Sequence, residues 1–377
     1  MTTLRLGFFY AAVFALIGIH LPFWPVWLAA RGLGPTEIGV VVATGVMIKI
    51  VFNPLVAHVA DRRGQRRPIM VALAAASLVA FSLFGVAREL WAILLVTVLF
   101  FAAWTPLMPL GESLAMLSGR TGDIDYGRVR AWGSLSFIVA AIGGGAVLAG
   151  RPADIVYWAI LAAVALTIVA TVMLPPTGTP PATGVRFAAF EVLRDRPFRL
   201  FIAAAALIQA SHAVYYGFGT LNWKAEGYSE AVIGWLWAEG VAAEIVLFAF
   251  GARLVRRLGP ANLIALGGLA GALRWTITAE AETLLVLVPM QALHAFTFGA
   301  AHLGAIHYIA GRMPASVSAS AQSLYSAVVM GLALGLSALL AGKLYGLYGA
   351  GAYQAMAVMA AAGGGLAVML ARGRGSA

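Results

Sequence analysis

Residues 56–70 read VAHVADRRGQRRPIM and lie between two long apolar runs. The run before them, IGVVVATGVMIKIVFNPLV (38–56), holds one charged residue, and the run after them, IMVALAAASLVAFSLFGVA (69–87), holds none. The short stretch between them carries one carboxylate and four guanidinium groups: Asp61, Arg62, Arg63, Arg66 and Arg67. Charge is therefore confined to a short connection between two segments that avoid it.

The composition of the whole chain follows the same pattern. Of its 377 residues, 62% are hydrophobic and 11% are charged, whereas a typical soluble domain has about 25% charged residues. A soluble protein of this length could not bury so much apolar surface. A bilayer can, because a helix of about 20 apolar residues crosses it with every backbone group hydrogen-bonded internally. The composition predicts an all-α membrane protein.

The apolar segments number twelve, separated mostly by short stretches rich in Arg, Gly, Pro or Asp. The first is too long and too aromatic for a cleaved signal peptide, so we expect it in the mature protein. Cysteine is absent, which excludes disulfides and thiolate metal sites. The predicted transmembrane helices are 6–30, 37–58, 68–87, 91–117, 129–150, 153–174, 198–222, 231–252, 261–279, 283–309, 316–342 and 350–371.

The basic residues predict the orientation of these helices. If the N-terminus is cytoplasmic and the helices alternate, 17 Lys and Arg side chains lie on the inner side and 5 on the outer side. Cytoplasmic loops carry the excess of Lys and Arg, so both termini are expected in the cytoplasm of a bacterial-type cell, with the chain in its inner membrane. The net charge of +10 is thus a topology signal, and no nucleic acid is expected as a partner because no basic domain stands outside the membrane.

The separator at residues 175–197 is longer than the others. It reads PPTGTPPATGVRFAAFEVLRDRP, rich in Pro, Gly and Thr and then basic. This composition is typical of a cytoplasmic linker. It predicts two six-helix halves, residues 1–174 and 198–377.

The two halves also resemble each other in the positions of their glycines. RGLGPTEIGVV in the first half corresponds to EGYSEAVIGWLW in the second, and AHVADRRGQRR corresponds to ARLVRRLGPAN. One constant offset along the chain matches Gly32 with Gly227, Gly39 with Gly234, and Gly64 with Gly259. A parallel repeat of two six-helix halves is typical of one large class of secondary transporters.

The charged stretch resembles the loop motif of the major facilitator superfamily, G-x-L-A-D-R-x-G-R-K between helices 2 and 3. Ala57 stands where the first glycine is usual. The resemblance implies a cytoplasmic gate, because in that family the aspartate pairs with arginines of neighbouring helices in one conformer and not in the other. A plain basic loop is the alternative. The matching residues are Asp61, Arg62, Gly64, Arg66 and Arg67.

Ionisable residues inside the helices are costly, so each is a functional hypothesis. They nearly balance in sign, as paired groups around a wet cavity would. The charged ones are Lys49, Glu112, Arg130, Glu239, Glu244 and Arg274. The histidines are His212, His294, His302 and His307.

Glu112 and Arg130 lie on consecutive predicted helices, near the connection between them, so a hairpin could bring them to one level. The string YGRVRAWGS with its upstream glutamate resembles the sugar-permease branch of the superfamily, which includes lactose permease. The resemblance implies that both residues bind substrate. A purely structural ion pair is the alternative.

The stretch QALHAF, on the helix that follows Arg274, resembles the proton-coupling helix of lactose permease, with His294 in the place of its histidine. Thr297 replaces the coupling glutamate of that permease and Gln291 replaces a nearby lysine, which argues against a lactose-type proton relay. An apolar environment raises the pKa of a carboxyl toward neutrality. Glu244, in GVAAEIVLFAF, is therefore the first candidate for the proton carrier. Glu239 and His294 follow, and His302 and His307 are expected to be packing residues.

Several strings of the second half resemble the 3-phenylpropionate permease group within the same branch: SHAVYYGFGTLNWKAEGYS, GWLWAEGVAAEIVLF and QALHAFTFGAAHLGAIHYI. That group implies proton symport of small aromatic acids. Lys49, Arg130 and Arg274 would supply positive charge for a carboxylate, and Tyr216 an aromatic face. The other candidate aromatic side chains are Tyr215, Trp223, Trp235, Trp237 and Phe296.

Other functions remain open at this point. The fold also serves sugar, nucleoside and siderophore permeases, drug/proton antiporters and non-transporting assembly factors. The predicted fifth helix lacks the proline usual in drug antiporters, and central charges have no use in a structural factor. No phosphate loop, metal-ligand cluster or nucleophile elbow indicates an enzyme. We expect a monomeric transporter that needs no cofactor and takes protons and a small organic solute as its partners.

Overall fold

The computed structural model describes residues 2–119, 126–175, 193–313 and 321–373, and these residues form helices and short connections. The helices of the first half are α1 Thr2–Ala30, α2 Pro35–Met47, α3 Lys49–Arg63, α4 Arg67–Ser82, α5 Leu90–Trp104, α6 Leu107–Gly119, α7 Tyr126–Leu148 and α8 Asp154–Met173. Those of the second half are α9 Arg196–Ala210, α10 Ala213–Ala225, α11 Glu230–Ala249, α12 Gly251–Leu258, α13 Pro260–Thr278, α14 Leu284–Ala292, α15 Ala301–Arg312, α16 Leu334–Tyr348 and α17 Ala352–Arg372.

Ten helical runs among the described residues are long and apolar enough to cross a membrane. The last of them, Ala321–Arg372, has 52 residues, which at about 1.5 Å per residue is roughly twice the length that one crossing needs. It turns at Gly349–Gly351 into two helices. The 19-residue α13 is not among the ten. The structure confirms the all-α membrane fold and is consistent with twelve crossings.

Several predicted helices are broken or extended. The predicted helix 37–58 consists of α2 and α3, which meet at a turn at Ile48 and run on to Arg63. The predicted helix 91–117 is interrupted at Thr105–Pro106, because proline cannot donate the hydrogen bond that a continuous helix requires. The linker residues 176–192 and the start of the predicted helix 316–342 lie outside the described residues.

The internal repeat extends to the backbone conformation of its glycines. Gly32 and Gly227 have φ of 86° and 91°, and Gly64 and Gly259 have φ of 64° and 78°. A left-handed conformation of this kind is available to glycine at little cost. Repeat-related glycines therefore share a positive φ, although Gly64 and Gly259 differ in ψ, which is 6° in the first and 159° in the second.

The described residues form two compact units. One lies within 1–37, 47–185 and 223–238, and the other within 38–46, 186–222 and 239–377. The units follow the predicted halves for most of their length, but each also contains a short segment of the other half. The division into halves at 175–197 stays a prediction.

Closely packed glycines explain why these segments change units. In the first unit, a Cβ at Gly234 would lie 2.4 Å from the Ala141 carbonyl oxygen, and one at Gly145 would lie 2.3 Å from the Glu230 carbonyl oxygen. In the second unit, a Cβ at Gly39 would lie 2.8 Å from the Ala338 carbonyl oxygen. Gly39 and Gly234 are repeat-related, so the same backbone contact occurs once in each unit.

Candidate substrate and proton site

The loop between α3 and α4 is held by a charge pair of its own. Asp61 Oδ1 lies 2.8 Å from Arg66 Nη2, and Arg66 Nε donates to Ser113 Oγ at 2.9 Å. The Arg66 side chain is buried, Arg62 is exposed, and Gly64 ends α3 with φ 64°. In this conformation the partner of Asp61 is thus an arginine of the same loop, which ties the loop to α6.

Glu112 and Arg130 belong to the first unit, on α6 and α7. No ion pair joins these two side chains within the part of the chain that the structure describes. The Arg130 guanidinium instead lies over the ring of Phe14 at 4.2 Å and near that of Tyr10 at 5.9 Å, both on α1. Arg130 is close enough to act on the charge of Glu112. A carboxylate and a guanidinium that are close but unpaired leave both groups able to bind a solute.

Lys49 also belongs to the first unit and is the first residue of α3, directly after the turn at Ile48. Its side chain is half-buried. It forms no ion pair with another described residue. The break between α2 and α3 therefore places an ammonium group beside an irregular backbone within an apolar run long enough to cross a membrane.

Arg274, on α13 of the second unit, is fully buried. Nη2 donates to Gln291 Oε1 at 2.8 Å. Nη1 lies 3.2 Å from both Thr297 Oγ1 and His294 Nδ1. These three partners are neutral acceptors, and Nε has no hydrogen-bond partner among the described residues.

Two aromatic rings cover the same guanidinium. Its central carbon lies 4.6 Å from the ring of Tyr215 and 4.4 Å from that of Trp275. Cation–π contacts of this kind stabilise a desolvated guanidinium by about 2 kcal/mol. They do not neutralise its charge, so Arg274 is a buried cation in direct contact with neutral polar and aromatic groups.

His212 is the next member of this network. Its Nε2 lies 3.1 Å from Thr297 Oγ1, and its Nδ1 lies 3.2 Å from the Ile208 carbonyl oxygen and 3.1 Å from that of Gln209. A carbonyl oxygen only accepts, so His212 carries its proton on Nδ1, and Nε2 accepts from the Thr297 hydroxyl. His212 is held neutral, as the far end of a chain of donors that starts at Arg274.

Glu244 reaches the same cluster from α11. Its Oε2 lies 3.8 Å from His294 Nε2, and its side chain is 19% exposed. Two glycines permit the approach of the helices, because Gly240 lies against His294 and Gly299 against Glu244. Residues Ala295–Ala300, directly after His294, are π-helical, and single π-turns inside helices occur frequently at functional sites.

Tyr216 and Glu239 border this cluster in the second unit. The Tyr216 ring is stacked on His212 with centroids 5.5 Å apart. Glu239 is half-buried and close enough to interact with Arg274. Trp235, in contrast, is 63% exposed and Phe296 36% exposed, which suits contact with lipid better than contact with a solute.

His302 and His307, the two other histidines near His294 in the chain, have different surroundings. His302 Nδ1 lies 3.3 Å from the Tyr325 hydroxyl, and His307 is exposed. Phe298 stacks between His294 and His302, at 5.4 Å and 5.8 Å. His302 packs against other elements, and neither of the two touches Arg274.

Sequence reasoning missed the role of Thr297 and Gln291. Both were identified only as departures from the lactose permease pattern, whereas the structure shows them as acceptors for Arg274. The sequence did contain a signal for this role. Two polar residues replace two charged ones near an intramembrane arginine, and their oxygen atoms are suited to accept hydrogen bonds from it. His212 was identified as an intramembrane histidine but not linked to Arg274, since nothing local in the sequence relates the turn after α9 to α13.

The family of the chain follows from residues 3–355, which match a model described as the MFS_1 like family. The chain belongs to this family of the major facilitator superfamily. The expected fold and the sugar-permease-like branch are both confirmed. The protein is a multi-pass membrane transporter, and its relatives are transporters and not enzymes.

Two curated relatives illustrate the branch. A probable 3-phenylpropionic acid transporter of Escherichia coli is 33% identical over 367 residues, which covers 95% of this chain and 94% of that protein. A maltose permease of Geobacillus stearothermophilus is 29% identical over 348 residues, covering 89% and 86%. This chain is thus similar along nearly its whole length to proteins named for an aromatic acid and for a sugar.

Solved structures of low sequence identity show the same fold. The nucleoside transporter NupG superimposes with a TM-score of 0.83 at 17% identity, covering 98% of both chains. A bacterial homolog of the human lysosomal transporter Spinster, in an inward-facing and occupied conformation, superimposes with a TM-score of 0.77 at 14% identity, covering 98% and 96%.

Proposed function

We propose that the protein is a proton-coupled symporter that carries a small organic carboxylate, such as a phenylpropionate-like aromatic acid, by alternating access. It works as a monomer in the inner membrane, with both termini in the cytoplasm. The loop of Asp61, Arg62, Gly64 and Arg66 acts as its cytoplasmic gate. The observation that carries the proposal is the charge state of the cluster around Arg274.

A buried guanidinium without a paired counter-charge is unfavourable by several kcal/mol. The partners at hydrogen-bond distance of its two terminal nitrogens include an amide, a hydroxyl and an imidazole, and Nε is left without one among the described residues. A carboxylate would supply an ion-paired partner, which Arg274 lacks among the described residues, and could bind the guanidinium fork with two hydrogen bonds. An anionic solute fits this site better than a neutral one.

The walls of the cluster favour an aromatic solute. Tyr215 and Trp275 flank Arg274, Tyr216 stacks on His212, and Phe298 stacks on His294. Rings near a guanidinium offer stacking or edge contacts to an aromatic acid while its carboxylate lies on the cation. The 33% identity to a probable 3-phenylpropionic acid transporter supports the same solute class.

Glu244 is the proposed proton carrier, with Glu239 as the alternative carboxylate. It is mostly buried and lies on a helix that contacts His294. A protonated, neutral carboxyl can remain within the membrane while the transporter changes conformation with its solute, whereas a charged carboxyl makes that change costly. Glu112, Arg130 and Lys49 of the first unit are proposed as additional substrate-binding residues.

Ligand binding tests this proposal directly. The purified protein is titrated with 3-phenylpropionate, maltose and a nucleoside, and its intrinsic tryptophan fluorescence and melting temperature are followed. We expect 3-phenylpropionate to bind, Arg274→Gln to weaken its binding by at least about tenfold, and Arg31→Gln, a control whose arginine pairs with Asp154, to leave it unchanged. Equal affinity in Arg274→Gln and the parent chain would refute the carboxylate site.

A sugar permease is the second candidate, favoured by Glu112 and Arg130, which form no ion pair with each other among the described residues, and by the maltose permease relative. The same titration separates the two functions. Saturable binding of maltose that depends on Glu112 and Arg130 but not on Arg274 would establish the sugar function instead.

A further inference from the structure

We propose that Arg274 blocks the proton-accepting nitrogen of His294, and that the substrate anion opens a proton path to Glu244 by drawing the guanidinium away. The inference rests on the proposed carboxylate transport and concerns the order of binding. It follows from the contacts of the two ring nitrogens of His294: Nδ1 lies near Arg274 and Nε2 lies near Glu244.

The proton on the His294 ring is located by its contact with Arg274. A guanidinium has only donors, so Nδ1, 3.2 Å from Arg274 Nη1, must be the acceptor of that contact. The neutral ring therefore carries its proton on Nε2. That nitrogen is the one directed at Glu244 Oε2, at 3.8 Å.

In this tautomer His294 could pass a proton to Glu244, but its proton-accepting nitrogen, Nδ1, is blocked by Arg274. A proton that arrives can bind only at Nδ1, where it would oppose the N–H groups of a cation at hydrogen-bond distance. While Arg274 stays in place, Nδ1 cannot accept it. Glu244 is then not supplied with protons through His294.

A carboxylate solute removes the block because it is a stronger acceptor for a guanidinium than an imidazole nitrogen is. Once Arg274 has turned toward the solute, Nδ1 binds a proton from water. The Nε2–H bond then breaks, and its proton forms an O–H bond with Glu244 Oε2. The imidazole ends neutral with its proton on Nδ1, Glu244 ends as a neutral acid, and one proton has entered with one anion.

Two features of the site suit this order of proton transfers. The Nε2–Oε2 distance of 3.8 Å exceeds that of a hydrogen bond by about 0.6–1 Å. The proton therefore cannot pass from His294 to Glu244 until one of the two side chains moves closer. After the transfer Nδ1 carries a proton, and Arg274 cannot return to it. The arginine is then retained on the solute until His294 has lost the proton on Nδ1 and regained one on Nε2.

The titratable groups around His294 come from several helices. Arg274 lies on α13, Glu244 on α11 and His212 between α9 and α10, and the Tyr215 ring centroid lies 6.1 Å from that of His294. His212 is fixed as a neutral acceptor by two backbone carbonyls. Glu244 is thus the group placed to take the relayed proton.

Proton leak in the absence of any solute gives a direct test. Proteoliposomes with a pH-sensitive dye inside are placed under a potassium diffusion potential, and proton entry is recorded. We expect Arg274→Gln to leak at least roughly tenfold faster than the parent chain, because the block at Nδ1 is lost. The double variant Arg274→Gln/His294→Gln should return to the parent rate, and Arg31→Gln should not leak.

A leak in Arg274→Gln no greater than in the parent chain would overturn the proposal, and so would a leak that persists in the double variant. A second measurement uses the unaltered protein, in which 3-phenylpropionate added in weak buffer should cause uptake of about one proton per anion bound. Binding without proton uptake would refute the gating but leave the carboxylate function standing. Absence of binding, in contrast, would refute the proposed function itself.

Discussion

The backbone contact between α7 and α11 gives the sharpest prediction. A methyl group added at Gly145 would lie 2.3 Å from the Glu230 carbonyl oxygen, whereas carbon–oxygen contacts are normally about 3.3 Å or longer. The obstacle is backbone, so no side chain can turn aside to relieve it. Gly145→Ala must therefore separate the two helices by about 1 Å near their predicted outer ends.

The size of the effect follows from this separation. Overpacking of a close contact costs about 1–3 kcal/mol, which shifts an equilibrium between closed and open contacts by about 5- to 150-fold. Gly143 is a matched control on the same helix, because a Cβ there would meet nothing within 4 Å. Gly143→Ala has the same gain in helix propensity without the clash.

The chain contains no cysteine, so a single introduced thiol reports the separation of α7 from α11 without labelling of other residues. Ala238, buried on α11 one turn beyond Gly234, is the site for the reporter Ala238→Cys. We expect a maleimide to label this thiol at least about fivefold faster in Gly145→Ala than in the parent. Equal labelling, or the same increase in Gly143→Ala, would refute the argument from backbone contact.

The remaining predictions concern charged groups. Glu244→Gln should abolish accumulation driven by a pH gradient and leave substrate exchange intact, as measured with radiolabelled substrate; accumulation that survives would place the proton elsewhere. Arg130→Lys should lower substrate affinity by about tenfold, since an ammonium cannot replace the planar fork, and calorimetric titration will measure it. The Arg312 guanidinium, at 2.8 Å, holds the pKa of Asp195 below its ordinary value. The stabilisation by this pair is present above about pH 4 and lost as pH falls through the lowered pKa. Asp195→Asn should therefore lower stability at pH 7 by up to about 1 kcal/mol, and the difference in melting temperature should vanish in acid; a difference that persists there would contradict this origin.

The sequence predicted the features that depend on local pattern. Apolar length indicated the crossings, the constant offset between matched glycines indicated the repeat, and membrane-depth charge identified Arg274, His294 and Glu244 before their contact was known. It could not predict the turn at Ile48 or the π-helical turn after His294, because both depend on neighbouring helices. Nor could it reveal that Glu112 and Arg130 form no ion pair with each other in the described part of the chain, since their spacing along the sequence only permits a contact.

The repeat also shows how its two halves have come to differ. Gly39 and Gly234 have kept the same function, because each brings its helix against a backbone carbonyl of the other half. The position of Asp61, in contrast, corresponds to Arg256 at the offset that relates the glycines. The charge pair of the loop thus exists in the first copy and cannot form in the second. The proposed alternating access needs contacts that differ between the two ends of the molecule, and a repeat that preserves its glycines while changing its charges is suited to supply them.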